Sequence, residues 1–276
     1  MLSDEKLKSL REKAIEIRIS IIEMVHHARS GHTSGSLGPV EILVALYYHV
    51  MKHDPKDPEW PVRDRFVLSK GHCAPALYAV LADCGYFPRE DLQGLRQIGQ
   101  HLQGHPNHRK TPGVEATTGS LGQGLSIALG MALAARMRDG EHFCYVMCGD
   151  GEIQEGQIWE AAMLGSKYGL DNVIAFVDRN YYQHCDHTEK TMPLDPTAPR
   201  WQAFGWDTAE VDGHNFAQII QAVEKAKTVK GRPSMIIART TKGKGVSFLE
   251  NLPGCHGKPL TDEQRRLALE EISRGI

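Results

Sequence analysis

The fold class predicted is α/β, a doubly wound parallel sheet flanked by helices, and three observations carry it. Short, apolar, β-prone runs recur along the chain, as in "RFVLS", "FCYVMC", "NVIAFVD" and "PSMIIART". Between them lie longer segments whose apolar residues repeat at helical spacing, so strand and helix alternate. The strand "FCYVMC" runs directly into "GDGEIQEGQIWEAA", where an aspartate between two glycines opens a helix. In an open α/β sheet such a turn lies at the carboxyl end of the strands, where ligands bind. At 276 residues the chain is long enough for one large domain, and residues 1–276 read as a single one.

The first segment, "MLSDEKLKSLREKAIEIRISIIEMVHHA", is an amphipathic helix. It leads into the glycine-rich loop "SGHTSGSLGPVE", an apolar helix "EILVALYYHVM" and the proline-punctuated loop "HDPKDPEWPVRD". The strand "RFVLS" then enters "KGHCAPALYAVLADCG", a turn followed by a helix, and residues 88–110 hold a short helix and a polar loop. "TTGSLGQGLSIALGMALAARMRDG" opens on glycines and continues as a small-residue helix closed by a glycine C-cap. The strand "FCYVMC", a turn, a helix over 152–168 and the strand "NVIAFVD" form a β-α-β unit with parallel strands. The strand "WDTAEVDG", a helix from Asn215 to Val229 and the strand "PSMIIART" repeat the pattern, and "TDEQRRLALEEISR" is a capped, solvent-exposed helix.

Composition narrows the function classes. Charged residues at 24%, hydrophobic residues at 41% and a formal net charge of -2 describe an ordinary globular protein with no basic field for nucleic acid. The N-terminus lacks a signal-peptide core, and no apolar run reaches membrane-spanning length, so a cytoplasmic location is the default. Six cysteines occur without a CxxC pair, and Cys144 and Cys148 fall in a core strand, which points to buried thiols. Cys185, Asp186 and His187, or Cys255 and His256, lack the paired spacing of a tetrahedral zinc site.

Gly151 and Asn180 are separated by 28 residues, one helix plus one strand, which returns the chain to the same sheet edge. Asp150 and Asn180 therefore both follow strands, and their side-chain oxygens converge on one point. One anionic and one neutral hard oxygen suit magnesium, which completes its octahedron with water and phosphate oxygens. Gly151 lets backbone amides approach a phosphate at a helix N-terminus. Taken singly, Asp150 is equally a helix N-cap and Asn180 a turn residue.

The pair at this spacing resembles the diphosphate-binding motif of thiamine-diphosphate enzymes. "SGHTSGSLG", "DRFVLSKGHCAPALYAVLA", "GHPN", "TTGSLGQGLSIALGMALA", "GDGEIQEGQIWEAAMLGSKYGLDNVIAFVDRN", "TTKGKGVSF" and "HGKPL" narrow the resemblance to the N-terminal half of the transketolase family. They run in family order across nearly the whole chain. The resemblance implies that Asp150, Asn180 and the main-chain carbonyl of Tyr182 hold Mg2+, and that Gly149 and Gly151 form the diphosphate turn. It implies that His72 and His256 contact the diphosphate or substrate, and that His32, His105 and His256 line the donor-sugar channel as catalytic residues. Gly119 and Leu121 contact thiamine diphosphate, Asp178 positions its thiazolium ring, and Glu155 and Glu160 lie at a subunit interface. Glu152 is read as part of a solvated helix face. Of the 14 histidines, His26, His27, His49, His53, His108, His142 and His187 are expected to have no chemical duty.

In the family, the glutamate and the aromatic residue that engage the cofactor's pyrimidine belong to a second domain, and nothing after "HGKPL" is long enough to supply them. The resemblance thus implies one subunit of a split enzyme, or a truncated piece. A separate C-terminal pyrimidine-binding subunit would complete it, two copies of each forming a heterotetramer. The implied reaction transfers a two-carbon ketol unit from a ketose phosphate to an aldose phosphate. Alternatives are a relative acting on an unusual pentulose phosphate or a 2-oxo acid, and a non-catalytic partner subunit. Thr33 and Ser34 after His32, and the pair Tyr181 and Tyr182, depart from the family pattern and bear on the donor pocket. A dinucleotide-binding reading fails, because no GxGxxG follows the first strand of a β-α-β unit.

Overall fold

A computed structural model describes residues 2–184 and 186–275. Cys185 lies outside the described residues. In chain order the elements are α1 (Asp4–Ala28), α2 (Thr33–Leu37), α3 (Val40–Ala45), β1 (Arg65–Leu68), α4 (Ala74–Cys84), α5 (Gln123–Arg136), β2 (Cys144–Gly149), α6 (Gly156–Lys167), β3 (Val173–Arg179), α7 (Thr188–Thr191), α8 (Thr197–Ala203), β4 (Asp207–Asp212), α9 (Phe216–Thr228), β5 (Ser234–Arg239) and α10 (Asp262–Ser273). The five strands form one sheet in the order β1-β2-β3-β5-β4, and every neighbouring pair is parallel.

Both faces of the sheet are covered, which is why the central strands are continuously apolar rather than alternating with polar residues. In β2, Tyr145 and Met147 enter one core with α1, α3, α4 and α9, while Cys144, Val146 and Cys148 enter the other with α5, α6 and α8. Ile174 and Phe176 of β3 join the first core, and Val173, Ala175 and Val177 the second. The period of two in side-chain direction thus distributes one apolar strand between two layers. Trp206 adds a polar tie: its indole N–H donates to the Ala162 carbonyl at 2.9 Å, fixing α6 to the start of β4.

The expected strands and their parallel pairing are present, and three local expectations need correction. The segment 152–168 is not one helix: a single 3-10 turn over Gly151–Gln154 is followed by extended backbone at Glu155, and only then by α6. The glycine-rich stretch after α1 is not an open loop, because Thr33–Leu37 forms a fully buried helical turn. The end of α5 is not a glycine cap. Met137 keeps right-handed helical backbone, Asp139 takes the left-handed conformation, and the Gly140 N–H returns to the Ala135 carbonyl.

The register carries the fold into the site. Gly149 of β2 stands opposite Asp178 of β3, and Asp178 opposite Ala238 of β5. The carboxyl ends of β1, β2, β3 and β5 therefore line up, and the residues following them, Lys70, Asp150, Asn180 and Lys242, meet at one edge.

Candidate active site

Asp150 is 2% exposed and held from three sides. Its Oδ1 accepts from the Gly151 N–H at 2.8 Å, and its Oδ2 accepts from the Tyr181 N–H at 2.6 Å and from Arg179 Nη1 at 3.3 Å. Burial raises its pKa to about 6, and the Asp178 charge adds to the rise while Arg179 and the two N–H groups oppose it. Asn180 is buried beside it. Its Oδ1 accepts from the Tyr182 N–H at 3.1 Å and its Nδ2 donates to Asp178 Oδ2 at 3.3 Å. Asp150 thus caps the 3-10 turn and presents a carboxylate at the sheet edge at once. The Gly151 N–H, expected to face a phosphate, is engaged by Asp150 itself.

These residues open onto a cavity of about 390 Å3. Its lining includes His72, His105, Gly119, Leu121, Gly149, Asp150, Gly151, Glu155, Asn180, Tyr182 and His256, all singled out in the sequence. Gly119 needs its glycine: φ is +138°, and a Cβ there would come within 3.0 Å of the His105 ring. One expected residue sits behind the wall. Asp178 is fully buried, paired with Lys70 Nζ and Thr240 Oγ1, and supports Lys70 from below. His32 packs against His72 and His256 with ring centroids 5.2 and 5.0 Å away.

Two buried lysines were not singled out from the sequence. Burial works against the Lys70 charge, but Asp178 beside it, with Cys73 and Asp150, lifts its pKa above the ordinary lysine value. Lys242 Nζ donates to the Tyr182 carbonyl at 3.3 Å and lies 3.2 Å from His256 Nδ1. The signal available was "SKGH" directly after a strand and "TTKGKG" directly after another, since a lysine at a carboxyl strand end faces the ligand edge. His184, Gln154 and Gln183 also line the cavity and were missed.

The imidazoles are neutral. Burial lowers the His256 pKa to about 3, with Lys242 and His32 adding to the effect, and burial with Arg96 and His105 lowers His32 to about 4. His72 is pushed well below its ordinary value by burial and Lys70, and His105 is lowered by burial and Arg96. Burial lowers the Lys242 pKa, and donation from Lys242 Nζ to His256 Nδ1 leaves the other ring nitrogen, Nε2, as the one that carries the proton of a neutral His256. The cluster therefore offers N–H donors that carry no charge of their own, suited to hydroxyl groups.

Glu152 corrects the solvated-face reading. It is 2% exposed, and its carboxylate accepts from Ser69 Oγ at 2.5 Å, the Gly122 N–H at 2.9 Å and the Gly149 N–H at 2.9 Å. It ties the ends of β1 and β2 to the start of α5. Glu155 and Glu160 are exposed, and Glu155 stands at the cavity rim.

Two buried lysines, hard oxygen donors and neutral imidazoles meeting at the carboxyl edge of a doubly wound parallel sheet are the features of a ligand-binding α/β domain of the diphosphate-binding class. The family model described as "Transketolase, thiamine diphosphate binding domain" matches residues 10–272, and the chain belongs to this family. It is 47% identical over 273 residues to the 6-deoxy-6-sulfo-D-fructose transketolase subunit SqwG of Clostridium sp. (strain MSTE9), covering 99% of each chain. It is 41% identical to one of the apulose-4-phosphate transketolase subunits of Phocaeicola vulgatus, covering 98% of this chain and 96% of that one. The solved transketolase of Campylobacter jejuni superposes with a TM-score of 0.90 at 37% identity, over 96% of this chain and 42% of the other. The chain therefore spans nearly all of the subunit relatives and about two fifths of that longer transketolase.

The donors present fit the family's cofactor. Asp150, Asn180 and the Tyr182 carbonyl are hard oxygens of the kind a divalent cation takes, and Lys70 and Lys242 flank them where a diphosphate needs positive charge. Among the described residues no helix is long and apolar enough to cross a membrane.

Proposed function

We propose that the chain is the N-terminal subunit of a thiamine-diphosphate-dependent transketolase, completed by a separate C-terminal pyrimidine-binding subunit in a cytoplasmic heterotetramer. The complex transfers a two-carbon ketol unit from a ketose phosphate to an aldose phosphate. The observation that carries this reading is the meeting of Asp150, Asn180 and the Tyr182 carbonyl with two buried lysines, beside three mutually packed imidazoles. Asp150, Asn180 and the Tyr182 carbonyl would hold Mg2+, and Lys70 and Lys242 would balance the charge of the diphosphate. When bound, thiamine diphosphate would supply a nucleophilic carbon. His256 would present an N–H to a donor hydroxyl, and His32, His72 and His105 would line the same channel, with His32 packed against the rings of His72 and His256. Neutral imidazoles of this kind orient hydroxyls by donating and accepting hydrogen bonds without adding charge to the site.

The two subunit relatives are a 6-deoxy-6-sulfo-D-fructose and an apulose-4-phosphate transketolase subunit, which favours a ketose donor outside the common set, such as a sulfonated ketose or a branched pentulose phosphate. The Asp150→Ala variant, assembled with the partner subunit, tests the metal and cofactor assignment. Loss of Mg2+-dependent thiamine diphosphate binding is expected in isothermal titration, and wild-type affinity would overturn the assignment. Turnover of candidate ketose phosphates and of 6-sulfonated ketoses by the assembled complex separates the possible donors.

A further inference from the structure

Arg179, the last residue of β3, is 1% exposed, and all but one of its guanidinium nitrogens are spoken for. Nη1 donates to Thr188 Oγ1 at 2.7 Å and to Asp150 Oδ2 at 3.3 Å; Nη2 donates to Glu189 Oε1 at 2.6 Å and to Asp195 Oδ2 at 3.0 Å. The ring of Tyr181 lies against it, 4.0 Å from the guanidinium carbon, and Tyr181 itself adopts φ +67°, a backbone conformation in which a bulky side chain is strained. A fork of this shape bridges several oxygens at fixed angles, which a lysine cannot do.

The two Asp150 oxygens are not equivalent. Oδ2 already has two donors, the Tyr181 N–H and Arg179, while Oδ1 has only the Gly151 N–H. A carboxylate oxygen accepts along two lone-pair directions, so Oδ2 is filled and Oδ1 keeps one direction open. A bare guanidinium this close would also repel a dication. Glu189 and Asp195 answer that charge on the far side, so Arg179 orients Asp150 without making the site cationic.

We infer that Arg179 is a positioning residue for the metal: it fixes the Asp150 carboxylate so that Oδ1 faces the cation, and Thr188, Glu189 and Asp195 hold Arg179 for that task. This rests on the reading of Asp150 and Asn180 as metal ligands. Partners one shell out from a metal typically govern affinity by 10- to 100-fold. The test is titration of Mn2+ into the full chain in its native assembly with saturating thiamine diphosphate, followed by electron paramagnetic resonance, with thermal unfolding measured in parallel.

Arg179→Met is expected to weaken Mn2+ binding by about tenfold or more, and Arg179→Lys to recover only part of the loss. The Glu189→Gln/Asp195→Asn double variant alters partly exposed carboxylates that do not line the cavity. It is expected to weaken Mn2+ binding several-fold because the arginine charge is left uncompensated, and it carries the test if Arg179→Met does not fold. Wild-type Mn2+ affinity in the double variant and in any folded Arg179 variant, with or without a fall in melting temperature, would overturn the inference and leave these residues structural. Wild-type Mn2+ affinity in Asp150→Ala would instead overturn the metal reading itself.

Discussion

His32, His72 and His256 form a triangle with ring centroids 5.0 to 5.2 Å apart, and burial keeps each imidazole neutral in the folded chain. Because the folded-state pKa of His256 is about 3 and that of His32 about 4, both below the ordinary 6.5, the unfolded chain binds more protons between those values. Their contribution is therefore complete above pH 6.5 and is lost as pH falls toward 4 and 3. Replacing His256 by Gln is expected to flatten the fall in stability between pH 6.5 and 4 by up to one proton, measured by denaturant titration across that range; an unchanged slope would mean that the imidazole charges in place. At this scale the sequence was least legible where direction matters. Glu152 has the same composition and neighbourhood as Glu155 and Glu160, but it turns inward because Ser69 and Gly122, brought in by β1 and the turn before α5, supply donors only the fold assembles. Lys70 and Lys242 escaped for the same reason: a lysine in a loop is surface until Asp178 or His256 is placed against it.

Elements with strong local signals were read almost to the residue. The terminal helix α10 begins with a complete capping box, in which Thr261 Oγ1 accepts from the Gln264 N–H and the Gln264 side chain accepts from the Thr261 N–H. Both halves of that signal are local, so nothing distant can override it. The helix docks on α1 through Arg265 with Glu23 and His26 with Asp262, exposed pairs worth little each. Thr261→Ala is expected to cost about 1 kcal/mol and to raise hydrogen exchange in the first turn of α10, while the sheet keeps its protection. An equal loss of protection throughout would show that α10 unfolds only with the whole domain. The broken start of α6 was not legible, because the inward turn of Glu152 interrupts a stretch whose apolar spacing continues through the break. The buried turn α2 was hidden by its small polar composition: Gly35 lies against Cys73, and Gly38, just after the turn, against the Thr241 carbonyl, so these glycines mark close packing rather than an open loop.

The whole molecule was legible because its function is built into topology. Asp150 and Asn180 each follow a strand, and β2 and β3, joined by the α6 crossover, are direct parallel neighbours, so the two strand ends lie side by side. The proposed function adds a partner subunit at this scale. Glu155 and Glu160 project from the rim and from α6, and Glu155→Lys is expected to weaken association with the C-terminal subunit or its activation by cofactor, read by sedimentation of the mixed subunits and by titration of thiamine diphosphate. Unaltered association and activation would return Glu155 to a solvated face. The cavity draws its wall from Gly35 and His72, from His105 and Gly119, from the turn after β2, from Tyr182 and from His256. Those contributions run from Gly35 to His256, so a break anywhere between these two residues divides the cavity wall between two pieces. A rearrangement that moves this site has to carry that whole stretch together.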